Sequence, residues 1–191
     1  MIWGVDFGAK LSGNTALATF DGKRVRLFQA QRSADAGRWL DRLYLEMAPG
    51  LIGIDAPLSL PPGYFHPGQD LHFRHADRIL GAMSPMFIGG LTARAIEWST
   101  RLSSECIEVY PSALADQLFP GSRRRRKSEI EWFFLEVLHP AIIAQEGTGV
   151  HIEMPGSIHQ LDAMLALLTA LRYMNGTAQS FGKEKEGMIW V

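Results

Sequence analysis

Three aspartates stand in otherwise apolar surroundings: Asp6 in "IWGVDFG", Asp55 in "LIGIDAP" and Asp162 in "HQLDAMLAL". An ionised carboxylate in an apolar segment costs several kcal/mol, roughly, unless a cation, a hydrogen-bond donor or water compensates it. Like charges brought within a few ångströms repel and raise each other's pKa unless a cation joins them, and hard oxygen ligands suit Mg2+ or Mn2+. Two such ions about 3.5 to 4 Å apart can activate a water, orient a phosphate and stabilise the leaving oxygen in a displacement at phosphorus. The chemistry this trio could do is therefore metal-dependent hydrolysis of a phosphodiester. Each residue also has a plainer use: Asp6 and Asp55 could tie down adjacent turns through backbone hydrogen bonds, and Asp162 could pair with an arginine.

Positioning these groups falls to the elements around them. Segments 2–7, 15–20 and 24–30 read as three strands of a meander, separated by turn residues Ser12, Gly13, Asn14 and then Asp21, Gly22. Ser33 stands as N-cap to a helix in which Trp39, Leu40, Leu43 and Met47 recur at helical spacing and which stops near Pro49 and Gly50. Segment 51–57 is short, apolar and bounded by breakers, as suits a buried parallel strand after a helical crossover. The predicted order to this point is βββαβ, a three-stranded meander and then a strand after a helical crossover.

Segment 57–90 shows no sustained period, holds five prolines and concentrates Asp70, His72, Arg74, His75, Asp77 and Arg78 in its middle. A loop this long inside a domain suits an active-site flap or insertion, helical in part from His72 to Leu80. Arg74, His75 and Arg78 are candidates to grip a substrate, although surface ion pairs use the same residue types. Leu91, Ala95, Trp98 and Leu102 follow at helical spacing, and "CIEVYPS" alternates as a strand ending at Pro111, with Glu108 on the face of Cys106 and Tyr110. The run "SRRRRKSEIE" places Arg123, Arg124, Arg125 and Arg126 before a capping box of Ser128 and Glu131. Cations beside a helix N-terminus are disfavoured by its dipole, so the run suits phosphate contacts or a solvated loop.

A second capping box, Ser157 with Gln160, starts the last long helix and sets His159 and Asp162 three residues apart on one face. Small residues Ala163, Ala166 and Ala170 run down that side and would let the helix lie close on a sheet, turning Asp162 toward it. His159 is a candidate ligand or water-positioning group, or simply a cap or a partner of a ligand. "GMIWV" at 187–191 closes the chain as a short strand or packed tail, after a polar turn "GKEKEG".

Composition bounds these readings. A chain of 191 residues, 47% hydrophobic and of formal charge -1, is sized for one domain, and its balance argues against binding driven by global charge. Without a run of about 18 apolar residues or a signal-peptide pattern in 1–20, the expectation is a cytoplasmic protein with no membrane partner. Cys106 is the one cysteine, which excludes an internal disulfide. A zinc site from His66, His72, His75 and Cys106 matches no standard spacing.

"GVDFG", "IDAPLSLP", "SPMFIGGLTAR", "EVYP" and "HQLDAMLAL" together resemble a predicted-nuclease group of the RNase H-like superfamily, over nearly the whole chain. The resemblance implies an RNase H-like mixed sheet of five strands, three antiparallel and then parallel, flanked by helices, with a divalent-metal site built from Asp6, Asp55 and Asp162 and a catalytic set that adds His159 and Glu108. The pair His159 and Asp162 is similar to the H-x-x-D or D-x-x-D helix signature of RuvC-type resolvases. The implied function is nucleic-acid hydrolysis with Mg2+ or Mn2+, with Lys10, Ser12 and the basic residues above on phosphates; the oligomeric state stays open, a homodimer included. "DFGAKLSGNT" also resembles the first phosphate loop of the actin-like kinase and ATPase superfamily, but those proteins set nucleotide between two such domains, and no Walker A sequence is present. A catalytically silent nucleic-acid-binding domain is the third reading.

Overall fold

The computed structural model describes residues 1–122 and 127–191. One mixed sheet of eight strands runs through it in the order β6-β3-β2-β1-β4-β5-β8-β7. Its centre is the expected meander: β1 (Ile2–Asp6), β2 (Ala16–Phe20) and β3 (Arg24–Gln29) pair antiparallel. Helix α1 (Ala36–Met47) then crosses over to β4 (Leu51–Asp55), which lies parallel to β1. Beyond it β5 (Glu105–Val109) is parallel to β4. The core order β3-β2-β1-β4-β5, antiparallel and then parallel, is the five-stranded mixed sheet that was expected.

Three strands extend the expected five. The two-residue β6 (His151–Ile152) adds to β3, β8 (Gly187–Trp190) adds parallel to β5, and β7 (Ser180–Lys183) pairs antiparallel with β8. Of these, β8 lies where a short closing strand or packed tail was expected at 187–191, while β6 and β7 are held by their neighbours and carry too few residues for a period of two to show. Part of the expected polar turn "GKEKEG" is thus strand, followed by a 3-10 turn at Glu184–Glu186. A helix was also unforeseen where the strand was read as ending: α4 (Pro111–Leu118) starts with Pro111 in its first turn, where a missing N–H costs nothing.

Between β4 and β5 lie the 3-10 turn Pro62–Tyr64, α2 (His75–Leu80) and α3 (Gly89–Arg101). After α4, a 3-10 turn at Lys127–Glu129 leads into α5 (Ile130–Phe133), a π-helical stretch (Phe134–Leu138) and α6 (His139–Glu146). This helix begins with Glu129 flanking it, one residue beyond the Ser128 cap expected. Likewise α1 is capped by Asp35, which accepts from the Gly37 and Arg38 amides, while the expected cap Ser33 has a positive φ of 68° two residues earlier. Helix α7 (Ile158–Met174) starts as expected, Ser157 Oγ accepting from the Gln160 amide.

Two apolar layers cover the sheet. Trp3, Val5, Ile52 and Ile54 face Leu40, Leu43, Ala95 and Trp98 of α1 and α3. On the other face Ile2, Ala16, Ala18, Leu51 and Ile107 pack with Leu114, Phe133, Leu138 and the buried side of α7. On that second face two glycines, Gly4 of β1 and Gly53 of β4, stand opposite each other in the register. A Cβ on Gly4 would sit 2.1 Å from the Leu167 backbone N and 2.3 Å from the Ala163 carbonyl, and one on Gly53 would sit 2.8 Å from the Ala166 carbonyl. The helix backbone therefore rests on bare strand backbone, as its alanine stripe leads one to expect.

Because backbone cannot retreat, Gly4→Ala is expected to cost at least about 3 kcal/mol, or to prevent folding. Gly50→Ala, where a Cβ would meet nothing within 4 Å, should stay within about 0.5 kcal/mol of wild type in the same urea titration.

Candidate active site

The glycine seat fixes what lies two residues further along. From Gly4 to Asp6 a strand advances roughly 6.7 Å, and from Ala163 back to His159 a helix recedes roughly 6 Å. With Ala163 over Gly4, His159 thus arrives over Asp6, and its Nδ1 lies 2.7 Å from Asp6 Oδ2. Asp6 and Asp55 are partners in the β1–β4 register and alternate onto the same face as Gly4 and Gly53. Adjacent strands set their Cα atoms about 4.8 Å apart. Asp162 lies one turn beyond His159, close enough for its charge to act on the imidazole.

Burial raises the Asp6 carboxyl above its ordinary range, against the opposing pull of its hydrogen bond and charge interaction with His159. The same hydrogen bond raises the His159 imidazole, helped by the charges of Asp6 and Asp162 and opposed by partial burial. Both shifts favour a proton kept on this pair, the carboxyl because burial penalises its charged form and the imidazole because its charged form is hydrogen-bonded to Asp6.

These groups open onto a cavity of about 340 Å³, lined by Asp6, Asp55 and His159 and also by Asn14, Tyr110 and Glu108. Asp162 is not among its lining residues. Among the described residues no three or more His, Cys, Asp or Glu side chains group as a cage for a metal ion, so the expected trio Asp6, Asp55 and Asp162 is not a preformed protein-only ligand set. The juxtaposed pair does fit a hard divalent cation of the Mg2+ kind, which is commonly held by one or two carboxylates with water and substrate phosphate completing its shell.

Glu108 is in the register beside Ile54, one residue off the row of Asp55, and this offset sends it elsewhere. Its two oxygens accept from Arg74 Nη1 and Nη2, each at 2.6 Å, and Oε2 also accepts from the Leu58 amide. Arg74 further donates from Nη2 and Nε to Asp77 and from Nη1 to Ser59 Oγ. All five guanidinium N–H groups are engaged and Arg74 is 1% exposed. Arg74 was expected on a substrate; it is instead the buried centre that joins segment 57–90 to β5. Ser59 and the His75 amide continue this anchorage by donating to Glu186.

The other expected contacts are dispersed. Lys10 pairs with Asp35 at 3.2 Å, and Ser12 Oγ donates to the Ala9 carbonyl while accepting from the Asn14 amide, so the loop after β1 is wired to itself and to α1. Arg78 pairs with Asp70 and lies over the Phe73 ring, and His75 is exposed on α2. Arg123, Arg124, Arg125 and Arg126 lie outside the described residues. The sequence reading missed Arg94, which donates to the Gly8 carbonyl and lies over the Phe7 ring beside the site. It also missed the glycine pair, whose signal was present: each aspartate of the strand pair follows a glycine by two residues, on the same face.

No protein-family model and no curated protein matches the sequence. Among solved structures the chain is similar to Thermus thermophilus RuvC, at 14% identity over 92% of this chain and 96% of that one, with a TM-score of 0.45. It is also similar to T. thermophilus RuvC in complex with a Holliday junction substrate, at 13% identity over 93% of this chain and 97% of that one, with a TM-score of 0.42. At such identity the likeness concerns the fold, and the site is read from its own geometry.

Two outcomes follow from the charges. Arg74→Met leaves two carboxylates buried without their cation and should cost about 3–5 kcal/mol in denaturant unfolding. For His159, whose imidazole is raised in the folded state by its hydrogen bond to Asp6, the stability contributed is full below the ordinary histidine value of 6.5 and is lost as pH rises through the folded value, while the raised Asp6 carboxyl already begins to cost stability above the ordinary 3.8. In metal-free protein the fall in melting temperature between pH 6 and pH 8.5 should therefore shrink in His159→Gln; an unchanged fall would contradict the assignment.

Proposed function

We propose that the protein is a divalent-metal-dependent nuclease hydrolysing phosphodiester bonds in DNA or RNA. The observation that carries this reading is the side-by-side placement of Asp6 and Asp55 at the ends of neighbouring parallel strands, on one face, at the mouth of a cavity. The residue resemblance described above points the same way. An Mg2+ or Mn2+ ion held by this pair would supply a Lewis acid for the phosphate and lower the pKa of an attacking water.

The chain's own groups have distinct tasks in this reading. Asp6 and Asp55 hold the metal, and the positive end of α7 eases the accumulation of negative charge beside it. Asp162 adds a third carboxylate that keeps His159 basic. His159, which holds Asp6 through Nδ1 in the metal-free protein, would turn to the shell of the ion and take a proton from the attacking water as the new phosphorus–oxygen bond forms and the bond to the leaving oxygen breaks, that oxygen taking a proton from solvent. Glu108 acts through Arg74: the ion pair fixes segment 57–90, the flap of this reading, as a wall of the cavity. Lys10, Ser12, His75, Arg78, Arg94 and the arginines at 123–126 are assigned to phosphates along the strand.

Single-stranded, duplex, hybrid and branched substrates incubated with Mg2+ or Mn2+ test the proposal. Wild type should cleave at least one class, and Asp6→Asn and Asp55→Asn should each lose on the order of 10³-fold, the rate equivalent of several kcal/mol of charge stabilisation. Asp162→Asn should lose activity as well, whereas intact substrates throughout, or cleavage that persists in Asp6→Asn, would refute it.

A further inference from the structure

The cavity beside the carboxylates has walls that phosphate chemistry does not need. Its volume is about 340 Å³, too small to admit a duplex, whose major groove alone is roughly 12 Å wide. The walls include Phe7 and Pro57 from the strand ends, Ala82, Met83 and Ile88 from segment 57–90, and Leu91 of α3. Such a space excludes a base still stacked in a duplex and admits a flat, largely apolar group. Among the described residues that line it the one formal cation, Arg74, has every donor engaged by the protein itself. Asn14 lines it as well and carries an amide able to meet the edge of a ring.

Resting on the nuclease reading, we propose that this cavity takes the base of one unpaired nucleotide whose phosphate lies at Asp6 and Asp55. The substrates it fits are nucleic acids with a nucleotide out of the stack: bulges, mismatches, single strands or branch points. Every base has an apolar face, and Met83 is an unbranched, adaptable wall residue, so the pocket discriminates paired from unpaired more than one base from another. Met83 is 60% exposed at the mouth, on the segment that the Arg74 ion pairs hold against β5. The wall thus belongs to the folded protein before a substrate arrives.

The test uses the full chain carrying Asp55→Asn, in Mg2+, with three duplexes measured by fluorescence anisotropy: fully paired, with a single-nucleotide bulge, and with an abasic residue in that bulge. The expected result is binding about 10-fold tighter to the bulge than to either of the others, within what contact with one base is worth. The abasic duplex separates base capture from mere flexibility. Ala82→Phe, which fills the cavity, and Met83→Ala, which removes an exposed wall side chain, should each reduce that preference by at least about 3-fold while melting like the parent. Equal binding to all three duplexes, or a preference that both variants leave intact, overturns the inference. If wild type meanwhile cleaves in a metal-dependent way, the nuclease reading stands without it. A bulge preference with no cleavage by wild type of any substrate upholds the pocket and removes the hydrolysis, and absence of binding to all three overturns the pocket.

Discussion

Contact between backbones sets the geometry of this molecule. Helix α7 lies on Gly4 and Gly53 so closely that neither position has room for a methyl group. A helix seated on side chains can slide and tilt as those chains change rotamer, whereas one seated on strand backbone has a single depth and register. Asp6 and Asp55 follow the glycines by two residues in paired strands, and His159 precedes Ala163 by one helical turn. The 2.7 Å contact between Asp6 and His159 is the outcome of that seat. It spans 153 residues of chain without any local sequence relation between its partners.

Two clusters of buried acid meet around the same cavity, and they are neutralised differently. Glu108 and Asp77 surround Arg74, which gives them four of its five guanidinium donors and the fifth to Ser59. That cluster is complete, and its work is mechanical: it holds segment 57–90 against the sheet. Around Asp6 the compensation is a histidine, a group able to give up its proton near neutral pH. The contrast separates the two. A saturated arginine network resists change, while a carboxylate balanced against a titratable partner can exchange that partner for a cation.

Much of this was legible in the residues. The meander, the crossover helix and the parallel strands showed because their periods and breakers are local, and α7 showed because Ser157, His159, Asp162 and the alanine stripe all lie within one helix. What was not legible depended on register. Glu108 alternates with Cys106 and Tyr110, but whether that face holds Asp55 depends on how β5 is set against β4, and the actual offset places Ile54 beside Glu108. Arg74 has the appearance of any arginine in a polar loop until the sheet supplies its partner 34 residues away. Strands β6 and β7 are too short to announce themselves, whereas 187–191 reads as a short closing strand or packed tail and holds β8; α4 follows a proline that reads equally as an ending or as a first helical residue.

The central claim is that Asp6 and Asp55 share one divalent cation. Anomalous diffraction from crystals of the wild-type protein soaked in Mn2+ tests it most directly. The account predicts a peak between the two carboxylates, within about 2.0–2.2 Å of an oxygen of each, with His159 turned away or bound to the shell of the ion. Manganese bound elsewhere on the protein, with the Asp6–His159 hydrogen bond intact and no peak between the two aspartates, would contradict it.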